Sequence, residues 1–160
     1  MVLILMGVAG SGKTTVGRKL SAALGCPFYD ADDFHPPANI EKMRRGVPLD
    51  DADRALWLES LSGVIRRCVA QGACAVFACS ALKGSYRARL VLDETVKLVY
   101  LKGDAAVIRA RLERRRGHFM KPEMLDSQLA ALEEPEQAFY CDVNTPPEEL
   151  VNTIRGRFGL

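Results

Sequence analysis

Five short apolar runs recur along the chain: Val2–Met6, Pro27–Asp30, Ala73–Cys79, Val96–Leu101 and Ala138–Val143. Between them the apolar spacing changes to three or four residues, as one face of a helix requires. Val16, Leu20 and Leu24 line such a face, and Gly25 supplies its stop. Leu58, Leu61, Ile65, Cys68 and Val69 form a longer stripe that ends at Gly72. Asp104 is placed to cap a helix carrying Val107, Ile108 and Leu112, which ends by Gly117. Pro122 and Pro146 each suit the first turn of a later helix. Strand runs alternating with helical stripes predict an α/β domain, a parallel sheet covered by helices on both faces.

Two stretches break the alternation. Residues 32–53 are rich in proline, glycine and charge, and residues 114–121 form a basic turn. Both are expected to be movable flaps, because long segments beyond the strand ends of an α/β sheet are where ligands usually bind. No repeat or linker divides the 160 residues, so residues 1–160 read as one domain. Apolar residues make up 48% and charged residues 26%, the balance of a soluble globular protein. A net charge of +2 gives no electrostatic case for nucleic acid or an acidic membrane surface. Val2–Met6 is too short to span a membrane and lacks a basic leader and a cleavage site. The five cysteines contain no C-x-x-C pair and read as reduced core thiols, which points to the cytoplasm.

The chemistry begins directly after the first strand. Gly7, Val8, Ala9, Gly10, Ser11, Gly12, Lys13 and Thr14 match G-x-x-x-x-G-K-[ST] in full, with an apolar strand before and an amphipathic helix after. Glycines let the backbone wrap closely, so that successive N–H groups and a helix N-terminus face phosphate oxygens. Lys13 would reach the β- and γ-phosphates, Thr14 would help hold Mg²⁺, and Thr15 continues the nucleotide-facing turn. ATP and Mg²⁺ are therefore the expected cofactors. The two histidines lack metal-ligand spacing, so no zinc site is expected. A loop of this kind serves switches, ATPases and kinases alike, and does not fix the reaction. The third strand ends without an acid, whereas Asp30 and Asp32 follow the second. On an extended chain these two carboxylates face the same way. One can order Mg²⁺ and its waters while the other receives an acceptor hydroxyl; the plainer alternative is a turn built on hydrogen-bonding aspartates.

From Asp30 the chain reads Asp-Ala-Asp-Asp-Phe-His-Pro-Pro and continues through Arg45-Gly-Val-Pro-Leu-Asp-Asp-Ala-Asp-Arg54. Together with the phosphate loop, this block resembles the gluconokinase family, small P-loop kinases related in fold to shikimate and nucleoside-monophosphate kinases. Ser80-Ala81-Leu82-Lys83 with Tyr86-Arg87, Lys102-Gly103-Asp104, Gly117-His118-Phe119 and Ser127-Gln128 match as well, so the likeness spans nearly the whole chain. It implies a five-stranded parallel sheet in a single three-layer domain with a lid at about 113–122, and a homodimer as a common assembly. The implied reaction is ATP plus gluconate giving 6-phosphogluconate and ADP, with no nucleic-acid or membrane partner.

Within that resemblance, Asp32 is the candidate to orient and deprotonate the acceptor hydroxyl, and Asp30 the indirect Mg²⁺ partner, with the reverse assignment open. His35, Arg54, Lys83 and Arg87 would form a cationic pocket for a carboxylate, arginine suiting a planar bidentate contact. Gln128, Asn39 and Lys42 are weaker candidates for sugar hydroxyls. Arg111 would stack on adenine beside the turn Asn144–Pro147, and Arg115 would close on the transferred phosphate. For each cation the plain alternative is a solvated surface charge. Trp57 reads as helix packing. Two other functions stay open on the residues alone: another small-molecule kinase, of shikimate or nucleotide type, and a non-catalytic nucleotide-binding switch.

Overall fold

The computed structural model describes residues 1–114 and 123–160. Its centre is β1 (Val2–Met6), five consecutive buried apolar residues, as expected of a strand covered on both faces. β1 lies between β3 (Ala75–Ala78) and β4 (Val96–Lys102), with β2 (Phe28–Asp30) and β5 (Phe139–Asp142) at the edges. The strand order is β2-β3-β1-β4-β5, and every pairing is parallel. The five runs read from the sequence are thus the five strands, with ends one or two residues different.

Alternation along β1 sorts the core into two layers. Leu3 and Leu5 pack with Val16 and Leu20 of α1 (Lys13–Leu24) and with Val151 and Ile154 of α7 (Pro147–Phe158). Val2, Ile4 and Met6 pack on the other face with Trp57, Leu61 and Ile65 of α3 (Asp51–Ala70) and Tyr86 and Leu90 of α4 (Gly84–Leu90). A third cluster joins Val8, Ala9 and Leu82 to Ile108 and Leu112 of α5 (Ala105–Arg114) and Leu125 of α6 (Glu123–Ala131). That small core seats the phosphate loop on the two helices that flank the basic turn. The architecture is the expected three-layer α/β domain, with the phosphate loop at the carboxyl end of the central strand, where such sheets bind ligands. No helix among the described residues is long and apolar enough to cross a membrane.

Residues 32–53 hold no strand, and most of them are helical. Ala31–Phe34 form a 3-10 turn, α2 spans Pro37–Arg44, and α3 already begins at Asp51. Pro37 occupies the first helical position of α2, where its missing N–H costs nothing. Asp50 caps α3 by accepting from the Asp53 N–H at 2.8 Å, and the Asp53 carboxylate returns a bond to the Asp50 N–H at 3.1 Å. A helix of two turns offers too few buried positions (here Asn39 and Met43) for its periodicity to stand out among prolines and charges. Pro147 rather than Pro146 is the first residue of α7. Gly117 and Pro122 lie outside the described residues.

Candidate active site

α1 starts with a tight glycine turn and a lysine, and no side chain caps its N-terminus. No acidic residue stands in its first turn either. Its leading N–H groups and positive dipole end are therefore presented to the cavity. Gly12, at φ 96°, forms the last step of the loop, and a Cβ built there would meet nothing within 4 Å, so the space above it is open. At Gly10, φ 83°, a Cβ would stand 2.8 Å from Leu112 Cγ, so the loop needs glycine to lie against α5. Lys13 Nζ donates to the Val8 carbonyl at 2.9 Å, closing the loop on itself. Ala9 N–H donates to Gln128 Oε1 at 2.6 Å, which ties the loop to α6. An uncapped helix end, close-wrapped amides and a lysine fit a nucleotide's phosphates.

Asp30 ends β2 and has both oxygens engaged. Oδ2 accepts from Thr14 Oγ1 at 2.8 Å, and Oδ1 accepts from the Asp32 N–H at 3.2 Å. The two aspartates are thus not on one extended strand: the chain turns at Asp30, which caps the 3-10 turn that carries Asp32. The turn alternative and the functional one describe the same residues. Thr14 hydroxyl and Asp30 carboxylate make a compact oxygen pair at the first turn of α1, the donor type that suits Mg²⁺ and its waters. Asp32 keeps its carboxylate facing the cavity. Desolvation, with Asp30 and Asp33 adding repulsion against the pull of Lys13, pushes its carboxyl up to about 6.

A cavity of about 330 Å³ runs from Gly12, Lys13 and Thr14, past Asp30 and Asp32, to His35, Arg54 and Lys83. Trp57 organises this far end. Its Nε1 donates to the Ala31 carbonyl at 2.6 Å, and its ring stacks on His35 with centroids 4.7 Å apart. It packs, as its spacing predicts, and in packing it also fixes the turn that holds Asp32. His35 corrects the expected cationic pocket. Burial and the nearby Arg54 push its imidazole down to about 4, so the ring is neutral near pH 7. Asn39 Nδ2 faces His35 Nδ1 at 3.4 Å and donates to the Asp53 carbonyl at 2.6 Å. With Nδ1 accepting, His35 turns an Nε2–H toward Asp32 Oδ1, 4.0 Å away. Arg54 Nη1 donates to the Tyr86 hydroxyl at 3.0 Å, and Lys83 Nζ pairs with Asp51 Oδ1 at 2.9 Å.

Several expected ligands are braces instead. Arg87 does not line the cavity; its Nη1 donates to the carbonyls of Ala81 and Leu82, both at 3.0 Å. It secures a turn in which Ala81 takes φ 45°, a conformation costly for a residue with a Cβ. Lys42 holds Asp53 at 2.6 Å, and Asn39 is buried behind His35. Gln128 lines the cavity while its Oε1 serves the phosphate loop. Arg111 does not line the cavity; its Nη2 donates to the Val143 carbonyl at 2.8 Å, in the turn after β5. Arg115 lies outside the described residues. Reading the sequence missed Asp51 and the part played by Tyr86, whose hydroxyl is joined to Arg54 and Asp51.

Comparison with known proteins agrees with this geometry. Residues 9–150 match the family model described as shikimate kinase. A probable gluconokinase of Xenopus tropicalis is 41% identical, over 98% of this chain and 92% of its own length. The gluconokinase of Gluconobacter oxydans is 48% identical over 83% of this chain and 75% of its own. A crystal structure of a gluconokinase from Sinorhizobium meliloti superposes with a TM-score of 0.81 at 40% identity, covering 94% of this chain and 87% of that one. The chain belongs to the shikimate kinase family of P-loop kinases and, within it, to the gluconokinases.

Proposed function

We propose that this protein is a gluconokinase, transferring the terminal phosphoryl group of ATP to the 6-hydroxyl of gluconate and releasing 6-phosphogluconate and ADP. One observation carries the reading: a phosphate loop, the Asp32 carboxylate and a pair of cations open onto a single cavity of a size suited to a small acceptor. The names of the relatives supply the acceptor.

Phosphoryl transfer asks a protein for alignment and charge neutralisation more than for covalent chemistry. The amides of Gly10, Gly12 and Lys13 and the Lys13 ammonium hold the phosphates at the start of α1. Arg54 and Lys83 take the acceptor's carboxylate at the far end of the cavity, which directs its other end toward Asp32. Asp32 orients the 6-hydroxyl and receives its proton, because both oxygens of Asp30 are already committed. The neutral His35 donates a hydrogen bond in the middle of the cavity. Thr14 and Asp30 would hold Mg²⁺, which when bound neutralises charge on the phosphates. Arg111, beside Val143, borders the adenine. Five unpaired cysteines suit a cytoplasmic setting, and a homodimer is the assembly to test by light scattering.

The test is an acceptor panel: ADP release from Mg·ATP measured with gluconate, shikimate and nucleoside monophosphates. Turnover with gluconate well above the others is expected. Turnover only with another acceptor, or nucleotide binding with no acceptor-dependent turnover, would end the assignment.

A further inference from the structure

We infer that Tyr86 is the positioning residue that sets the spacing of the two acceptor-facing cations, an inference that rests on Arg54 and Lys83 receiving the acceptor's carboxylate. Tyr86 projects from α4 into the core layer shared with α3, with only 6% of its surface exposed. Its ring is therefore fixed by packing with Trp57 and Leu90, and it has just two side-chain torsions to fix. Arg54 and Lys83 come from different elements and have long, flexible stems whose freedom must be lost before they can grip anything. Both are gathered on this one phenol. Arg54 Cζ lies 5.5 Å and Lys83 Nζ 5.6 Å from the ring centroid, within cation–π range. The hydroxyl completes a closed circuit. It accepts from Arg54 Nη1 at 3.0 Å and donates to Asp51 Oδ1, and that oxygen also accepts from Lys83 Nζ at 2.9 Å. Hydrogen bonds from Tyr86 and Lys83 hold the Asp51 carboxyl below its ordinary range, so it stays ionised and keeps Lys83 in place.

Packing alone does not account for this arrangement, because a phenylalanine would fill the same volume. A buried hydroxyl costs free energy unless it is bonded, and both bonds this one makes go to the circuit of the cavity. The ring serves the core, and the oxygen serves the site.

The experiment is steady-state kinetics on Tyr86→Phe, Arg54→Met and the double variant, with gluconate and ATP varied separately and thermal unfolding recorded for each. Tyr86→Phe is expected to raise KM for gluconate about three- to tenfold, the net worth of one ordinary hydrogen bond, with KM for ATP unchanged and kcat within about twofold. In the Arg54→Met background the same change should cost much less, because the partner it positions is gone. If Tyr86→Phe shifts both KM values alike, or only the melting temperature, Tyr86 is structural and the inference falls. If Arg54→Met raises KM for gluconate and Tyr86→Phe does not, the inference falls while the carboxylate site stands. An unchanged KM for gluconate in Arg54→Met would remove the carboxylate site itself, and the inference with it.

Discussion

At one end of the cavity, recognition is carried by backbone; at the other it is carried by side chains. The phosphate end is eight consecutive residues, three of them glycine, wrapped so that amides and a helix terminus face outward. The acceptor end collects Asp32 from a 3-10 turn, His35 from the loop after it, Arg54 from α3, Lys83 from the turn before α4 and Gln128 from α6. In the proposed reaction the first end takes a ligand common to many kinases and is correspondingly generic. The second would distinguish acceptors, and each of its groups leans on a neighbour: Asp32 on Asp30, His35 on Trp57 and Asn39, Arg54 on Tyr86. Substitutions at the two ends should therefore fail in different ways.

The largest effect is expected at the junction between them. Asp32→Asn should lower kcat by at least about 10²-fold, the loss typical of a positioned base, and leave ATP affinity nearly intact. Single-turnover kinetics with a parallel ATP titration would show it. Turnover within a few-fold of the parent would remove Asp32 from the mechanism and give the hydroxyl to Asp30.

Next in size is a change confined to the backbone end. Gly10→Ala places a Cβ on a residue at φ 83° and drives it to 2.8 Å from Leu112 Cγ and 3.1 Å from Ile108 Cγ2. Strain of this kind costs about 1–3 kcal/mol. Part of it should appear as ATP binding weakened about tenfold and part as a lower melting temperature, with KM for gluconate close to the parent. Calorimetry with Mg·ATP checks the first, and an affinity within about twofold of the parent would show that the loop tolerates displacement.

The same contrast explains what could be read before any coordinates. A backbone site is written as a contiguous string, so Gly7–Thr14 announced itself, and the buried strand runs announced the sheet. The acceptor site is spread over five elements, and no local pattern says which cation faces inward. Arg54 and Arg87 look alike as letters. Arg54 turns to the cavity and donates to the Tyr86 hydroxyl, whereas Arg87 is spent on the carbonyls of a turn with a positive φ. His35 looked like a cation because its charge depends on burial, which the string does not carry. Only the resemblance to a family drew these residues together, and it could not separate ligand from brace. α2 was hidden for a different reason, since two turns framed by prolines leave almost no period to detect.

The prediction with the smallest effect on stability is also the one that best separates Asp32 from His35. The Asp32 carboxyl rises from 3.8 to about 6 in the fold, and the His35 imidazole falls from 6.5 to about 4. Between pH 4 and 6 the folded chain holds an extra proton on Asp32, so this residue's contribution to stability falls as pH rises. Over nearly the same window the unfolded chain holds the extra proton, on His35, so that contribution rises with pH. In stability the two oppose each other. In catalysis they do not, because a base must be ionised, whereas His35 is already neutral over most of this window. The parent's kcat/KM for gluconate should therefore decline about tenfold per unit below pH 6, the slope of one ionisation, while these two residues leave little net slope in its melting temperature. Asp32→Asn leaves His35 alone, and its melting temperature should climb with pH from 4 to 6.5 relative to the parent. Both curves come from one buffer series. A parent kcat/KM that stayed level from pH 7 to 5 would mean that the group receiving the proton is not held in the setting that the turn after β2 gives Asp32.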